Sequence, residues 1–445
     1  MNQFRFSVAA VANRLGALWR QQLLATAEAN FDPVVYLCNY GVAYPDQPFP
    51  NRLYAGANRV VPFPGPSALG NDLDALASFH AEHPCHLVGY LGYDLKNQLE
   101  PLTSRHPDRL GFNDIWFFEP TYILDFEADT ILLQTNQPTP GPWAGWLAGV
   151  GLVAAPPRPA NVPAVVQARV SRDEYLATAE KIRALVEAGD VYELNYCMEF
   201  FAESLQLDPL PAYEALCGHS PMPFSVFLKQ NNRYVLGTSP ERFLRKMGTR
   251  LCSQPIKGTA RRGYSPAEDE QLKTALRNSR KEQAENLMIV DLVRNDLARS
   301  AQTGTVQVEE LFGLYTFRQV HQLISTVTAQ VRPGVSLAQV LGHAFPMGSM
   351  TGAPKVRAMQ RIDELEASRR GLYSGAIGYI TPSGDMDFSV VIRSILYNAE
   401  TQYASFSVGS AITYEADPEQ EYAECLLKAR AMQAVLEGEV DPLTP

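Results

Sequence analysis

Four glutamates form two pairs, Glu282 with Glu285 and Glu421 with Glu424, each three residues apart. On a helix that spacing puts both members of a pair on one face. If two such helices meet, their four carboxylates make a hard, oxygen-rich site of the kind that takes Mg2+. Two solvated helix faces are the competing reading, because such pairs are common. A second candidate is the run Gln254-Pro255-Ile256-Lys257-Gly258-Thr259-Ala260-Arg261-Arg262-Gly263. A lysine beside Gly-Thr can approach a ligand closely, but it is a nucleophile only when neutral. Its ordinary pKa of about 10.4 must then be lowered by burial or by nearby cations. Arg261 and Arg262 are the nearest cations in sequence, and a basic surface turn is the alternative.

Glu241 lies in Gly237-Thr238-Ser239-Pro240-Glu241-Arg242, where a strand gives way to a turn. A dry pocket there would raise its pKa and make it a general acid; otherwise the turn is only structural. Gly348-Ser349-Met350-Thr351-Gly352-Ala353-Pro354-Lys355 runs into a helix start. Its backbone N–H groups suit an anion such as a substrate carboxylate, or simply cap the helix. In Phe388 to Ile395, read as one strand, period-two alternation puts Arg393 on the face of Val391 and Ile395. A guanidinium on an apolar face needs an anion, supplied by the protein or by a ligand. Leu216-Cys217-Gly218-His219 faintly resembles a glutaminase nucleophile elbow, but Ala215 stands where the elbow needs glycine.

These groups need elements to hold them. Ser171-Arg172-Asp173-Glu174 is a capping box opening a helix that Gly189 ends. Ser225 to Leu228 and Tyr234 to Gly237 read as strands of a hairpin, and Gly375 to Thr381 as another strand. Glu282 to Ala298 and Pro354 to Glu366 read as helices, and Asp417-Pro418 starts a last one reaching about Leu436. Strands and helices are plentiful without a regular βαβ beat, so the fold expected is α+β. Large mixed or antiparallel sheets would pack as a sandwich with helices outside. Residues 136–168 are rich in proline and poor in charge, and suggest a linker. It would separate an N-terminal region, 1–150, from a catalytic domain, 165–438.

A length of 445 residues suffices for a large core without disulfide or metal staples. The formal charge of −10 shows no basic surplus, which argues against nucleic acid as a partner. Six scattered cysteines without a CxxC pair suggest reduced thiols. No leader peptide is evident at Met1 to Ala10, and the apolar run Trp143 to Ala155 is too short to span a membrane. A soluble, cytoplasmic protein is expected.

Together and in this order, these segments resemble the chorismate-utilising enzymes. That family includes component I of anthranilate synthase and of aminodeoxychorismate synthase, and the isochorismate and salicylate synthases. The likeness runs from about Ser171 to Leu436. It is carried by Ala284-Glu285-Asn286-Leu287-Met288-Ile289-Val290-Asp291-Leu292 with Arg294-Asn295-Asp296, and by Thr351-Gly352-Ala353-Pro354-Lys355-Val356-Arg357-Ala358-Met359. Glu421-Tyr422-Ala423-Glu424 with Lys428-Ala429-Arg430 completes it, and Gly89-Tyr90-Leu91-Gly92-Tyr93-Asp94-Leu95-Lys96 matches more loosely.

The resemblance implies a role for each matching residue. Glu285 and Glu424 would bind Mg2+ directly, with Glu282 and Glu421 beside them mostly through water. Arg393 and Tyr373 would hold the enolpyruvyl carboxylate of chorismate. Lys428, Gly258 and Thr259 would contact the ring and its carboxylate, and Gly409-Ser410-Ala411 stands for a glycine-rich chorismate loop. Glu241 would protonate the departing C4 hydroxyl. Lys257 is the discriminating residue, because anthranilate synthases have alanine there and the aminodeoxychorismate branch has lysine. Isochorismate and salicylate synthases carry a water-activating lysine at the position of Glu193, where the amine-transferring branches usually have Gln. Gln322 replaces a His associated with pyruvate loss in anthranilate formation. The reaction implied is amination of chorismate to 4-amino-4-deoxychorismate through a covalent lysine, on the way to 4-aminobenzoate and folate. Anthranilate formation is the nearest alternative. Ammonia would come from a separate glutamine amidotransferase, and no fused lyase domain is expected.

Overall fold

The computed structural model describes residues 1–65, 71–150 and 164–438. Part of the proline-rich run read as a linker, residues 151–163, lies outside the described residues, as does the chain after Gly438. Among the described residues no helix is long and apolar enough to cross a membrane.

The strands join into one antiparallel hydrogen-bonded network that forks at the long strand Ile115–Phe126. One edge of that strand carries Arg52–Val60. Its other edge is shared by Leu87–Leu91 near the start and Thr130–Thr135 near the end. The first arm runs from Arg52–Val60 through Val34–Cys38, Phe224–Gln230, Arg233–Ser239, Ser394–Asn398 and Tyr403–Ile412 to Glu193–Ala202. The second runs from Leu87–Leu91 through Ala376–Ile380, Met386–Val390, Arg242–Met247 and Arg250–Gln254 to Val320–Gln330. Ile256–Arg261 and Gln307–Thr316 flank its end. Strands from both sides of the proline-rich run are thus woven into one sheet.

Alternation along Val34–Cys38 shows how the layers form. Val35 and Leu37 enter an apolar cluster shared with Leu251, Ile324 and Phe388 of the second arm. Val34, Tyr36 and Cys38 face a second cluster, covered by helices Arg172–Glu187, Pro209–His219 and Pro418–Glu437. The α+β arrangement with outer helices is the one expected. The capping box also forms, with Ser171 N donating to Glu174 Oε2 at 2.8 Å.

One expected strand is in fact two. Met386–Val390 pairs within the second arm, whereas Ser394–Asn398 pairs within the first. The chain therefore crosses between arms at Val391–Arg393, and Arg393 takes φ +51°. It does not share a strand face with Val391 and Ile395. The period-two reading failed because both halves are buried and apolar, so the break leaves no mark in hydropathy. A matching crossing lies at Pro240-Glu241, between Arg233–Ser239 and Arg242–Met247. The two crossings are stitched together by Thr238 N to Arg393 O at 3.1 Å and Val390 N to Glu241 O at 3.0 Å.

Candidate active site

The fork leaves a pocket where the arms part, and the two crossings set Glu241 and Arg393 into its wall. Lys257, Gly258, Thr259, Tyr373, Gly409, Ser410, Ala411, Lys428 and the glutamates Glu282, Glu285, Glu421 and Glu424 line the same pocket. The structure thus brings together every residue to which the resemblance gives a binding or catalytic role.

Local structure explains several placements. In Ile256–Arg261 the register against Val320–Gln330 slips between Ile256 and Thr259. Such a bulge re-aims side chains, and it falls at Lys257. Gly258 has φ +94°, and a Cβ there would stand 3.1 Å from Glu282 Oε2. Glu282 and Glu285 ride on helix Arg280–Ala298, capped by Ser279, which accepts from Glu282 N. Glu421, Glu424 and Lys428 ride on Pro418–Glu437, capped by Asp417.

Gly409-Ser410-Ala411 is a strand segment and not the expected loop, paired with Cys197, Tyr196 and Asn195. The run of small residues reflects close approach, since a Cβ on Gly409 would lie 2.4 Å from Cys197 Sγ. The Ser410 hydroxyl is hydrogen-bonded to Tyr175 at 3.0 Å. The helix start after Gly348-Ser349 is not an anion seat in the pocket. Pro354 takes the N-cap position and Lys355 pairs with Asp296 at 2.7 Å, while Ser349 and Met350 reach the pocket instead.

Glu241 is buried, which pushes its carboxyl up to about 7. The Ser349 hydroxyl, donating to Oε1 at 2.7 Å, and the cations Lys257 and Lys428 pull the other way. Glu241 can therefore hold a proton near neutral pH and give it up. Removing the Ser349 bond removes a contact that favours the carboxylate, so the pKa must rise. Ser349→Ala is expected to move the alkaline limb of kcat/KM for chorismate to higher pH, as a pH–rate profile at fixed free ammonia would show.

Lys257 departs from expectation. Burial disfavours its charge, but Glu193, Glu285 and Glu424 outweigh burial and hold its pKa above the ordinary lysine value. Its Nζ lies 3.1 Å from Glu193 Oε1. Arg261 and Arg262, which could have lowered it, pair with Glu268 and Asp269. Lys257 is thus an ammonium here and must lose a proton before it can attack anything.

The carboxylates are braced by lysines. Lys281 reaches Glu421 at 2.7 Å and Glu285 at 3.8 Å, and Lys428 reaches Glu424 at 2.6 Å. Burial pushes Glu285 up to about 7, and it raises Glu282 too, helped by Glu424. Burial would also raise Glu424, but Lys428 outweighs it and the net shift is downward. Among the described residues no three such side chains form a ready metal cage. Glu285 Oε1, however, is buried without a hydrogen-bond partner. A buried carboxylate oxygen with no hydrogen bond, met only by Lys281 at 3.8 Å and set among other hard donors, fits a divalent cation such as Mg2+.

Arg393 opens into the pocket, where burial lowers its pKa. Among the described residues no carboxylate pairs with its guanidinium and no hydrogen bond to it is formed. Of the two partners considered for it, a protein carboxylate in contact is therefore missing; Glu424 acts on it only from a distance, offsetting part of the burial. Tyr373 stands nearby with its hydroxyl 3.5 Å from Cys197 Sγ. Ser349, Lys281 and Asn195 also line the pocket and were not singled out from sequence. Lys281 had one signal, its place four residues before Glu285 on one helix face; Ser349 had none beyond its glycine-rich run. Gln322 reaches Thr259 Oγ1 at 3.5 Å from the pocket wall, while His321 is buried against Asp269 at 2.8 Å.

The sequence pattern of the chorismate binding enzymes matches residues 63–434. The chain belongs to that family. Among relatives in the family is an aminodeoxychorismate synthase of Streptomyces griseus, 39% identical over 83% of this chain and 53% of the relative. The chain thus spans about half the length of that relative. Aminodeoxychorismate synthase component 1 of Salmonella typhimurium is 36% identical over 79% of this chain and 76% of its own length. Anthranilate synthase component I of Streptococcus pneumoniae shares the fold with a TM-score of 0.74 at 27% identity, covering 89% of this chain and 95% of that one.

Proposed function

We propose that this chain aminates chorismate at C4 to give 4-amino-4-deoxychorismate, using ammonia from a separate glutamine amidotransferase. The product would be a precursor of 4-aminobenzoate and folate. The observation that carries the reading is Lys257, a lysine in the wall of a pocket that also holds a buried acid and an unpaired guanidinium. Six free cysteines, most of them buried, suit a reducing, cytoplasmic setting.

Arg393, with no carboxylate in contact, takes the enolpyruvyl carboxylate beside Tyr373. Lys428, Gly258 and Thr259 face the ring and its carboxylate. A Mg2+ ion held by Glu285 and Glu424, with Glu282 and Glu421 beside it, would neutralise that carboxylate and draw electron density from the ring. Lys257 passes its ammonium proton to Glu193, 3.1 Å away, and forms a C–N bond at C2 while the C4–O bond breaks; the proton returns when Lys257 is expelled. Glu241 gives its proton to the leaving hydroxyl, which departs as water. Ammonia then bonds to C4 and expels Lys257 from C2, and the surplus ammonia proton returns to Glu241. Two successive allylic displacements put nitrogen para to the ring carboxylate, where a single addition at C2 would put it ortho.

Anthranilate formation is the second reading, favoured by the structural likeness to an anthranilate synthase component I. Lys257 speaks against it. The experiment incubates the protein with chorismate, Mg2+ and excess ammonium salt at mildly basic pH and separates the products. Aminodeoxychorismate supports the proposal, and anthranilate or isochorismate overturns it. If Arg393 grips a carboxylate with its planar fork, Arg393→Lys is not conservative. Its KM for chorismate should rise about 10- to 100-fold, the size of a lost charge-assisted hydrogen bond, as steady-state kinetics would show.

A further inference from the structure

Behind the pocket wall lies a buried ion pair, Arg370–Glu366, that the chemistry above does not use. Its guanidinium is fully committed. Nε and Nη2 donate to Glu366 at 2.9 and 2.6 Å. Nη1 donates to Met350 O at 2.6 Å and to Ser374 Oγ at 3.4 Å, and Nη2 also donates to Asn195 O at 2.8 Å. All five N–H donors of the guanidinium thus have an acceptor. Glu366 Oε1 in turn accepts from Cys197 N at 2.9 Å, and the Tyr93 ring lies 4.7 Å from the guanidinium carbon.

What these bonds tie together is the pocket wall. Asn195 and Met350 line it, Ser374 follows Tyr373, and Cys197 stands opposite Gly409 in the ladder. Met350 follows Ser349, whose hydroxyl holds Glu241. A buried pair of this kind adds little net stability over an apolar filling, because desolvating both charges offsets their attraction. Its two backbone carbonyl acceptors belong to different chain segments, one in the strand Glu193–Ala202 and one in the turn Gly348–Met350. That geometry fixes one segment relative to the other.

We infer that Arg370, held by Glu366, is a positioning residue that sets the Ser349–Met350 turn, and through it the Ser349–Glu241 bond, against Tyr373 and the Gly409 strand. The inference rests on the reading of Glu241 as the acid, but not on which product forms. A small displacement of a catalytic group can cost about 100-fold in rate.

The test compares Arg370→Lys, Ser349→Ala and the double variant in the full chain. Arg370→Lys keeps the charge but lacks the planar fork. We expect its kcat to fall about 10- to 100-fold and its alkaline pH limb to move up as in Ser349→Ala, with no further movement in the double variant. An infrared titration of the Glu241 carboxyl, isolated by subtracting Glu241→Gln spectra, gives the same answer without turnover. It therefore still reports on Arg370 if chorismate is not a substrate and the functional reading fails. A lower melting temperature with an unchanged kcat and an unchanged Glu241 midpoint would mean a purely structural pair and overturn the inference. Glu366→Asp, which draws the guanidinium back by one methylene, serves if Arg370→Lys does not fold. Failure of both to fold would likewise overturn it.

Discussion

Lys257→Ala is expected to abolish formation of 4-amino-4-deoxychorismate, lowering its rate by at least about 1,000-fold, as loss of a covalent nucleophile does elsewhere. The methyl side chain of alanine offers no nucleophile at C2, so the first displacement has nothing to carry it. Ammonia entering the pocket can then only add where the lysine would have added, and whatever aminated product remains should be ortho. Lys257→Ala also strips the buried Glu193 of the cation in contact with it, so some loss of stability accompanies the loss of rate. Chromatography of the products, with the melting temperature as control, checks this. Continued para product at an undiminished rate would show that Lys257 does not act covalently.

Glu241→Gln should reduce kcat about 100- to 10,000-fold, the usual weight of a general acid, while KM for chorismate changes little. The amide fills the same space and can still accept from Ser349, so the pocket stays closed, but it has no proton to deliver to the C4 hydroxyl. The pH profile gives a second reading. Burial holds the Glu241 carboxyl at about 7, so its protonated, active form is lost as pH rises through that value. At a fixed concentration of free ammonia, kcat/KM of the unchanged protein should fall along that limb, and Glu241→Gln should lack the limb. A limb that persists in Glu241→Gln would assign it to another group.

What was legible in the sequence was what local chemistry controls. Asp417-Pro418 and Ser279 start their helices, and a spacing of three then places Glu421 with Glu424 and Glu282 with Glu285 on single faces. The resemblance that the long motifs carry gave roles to Glu241, Lys257 and Arg393, in that order along the chain. What was not legible depends on contacts between distant segments. The charge on Lys257 is set by Glu193, which arrives from another strand, and the cations adjacent in sequence point elsewhere. Arg393 seemed to lie mid-strand because both strand halves are buried, and only their pairing with different arms reveals the crossing. Gly409-Ser410-Ala411 resembled a loop, yet its glycine answers to a neighbouring strand's Cys197. Ser349 showed nothing of its bond to Glu241, a residue from a different crossing.

The most direct measurement is intact-protein and peptide mass spectrometry after mixing the chain with chorismate and Mg2+ in the absence of ammonia. A peptide carrying chorismate less one water on Lys257 is expected, which disappears when an ammonium salt is added and 4-amino-4-deoxychorismate appears. Unmodified Lys257 throughout, with the para product still forming on addition of ammonium, would contradict it.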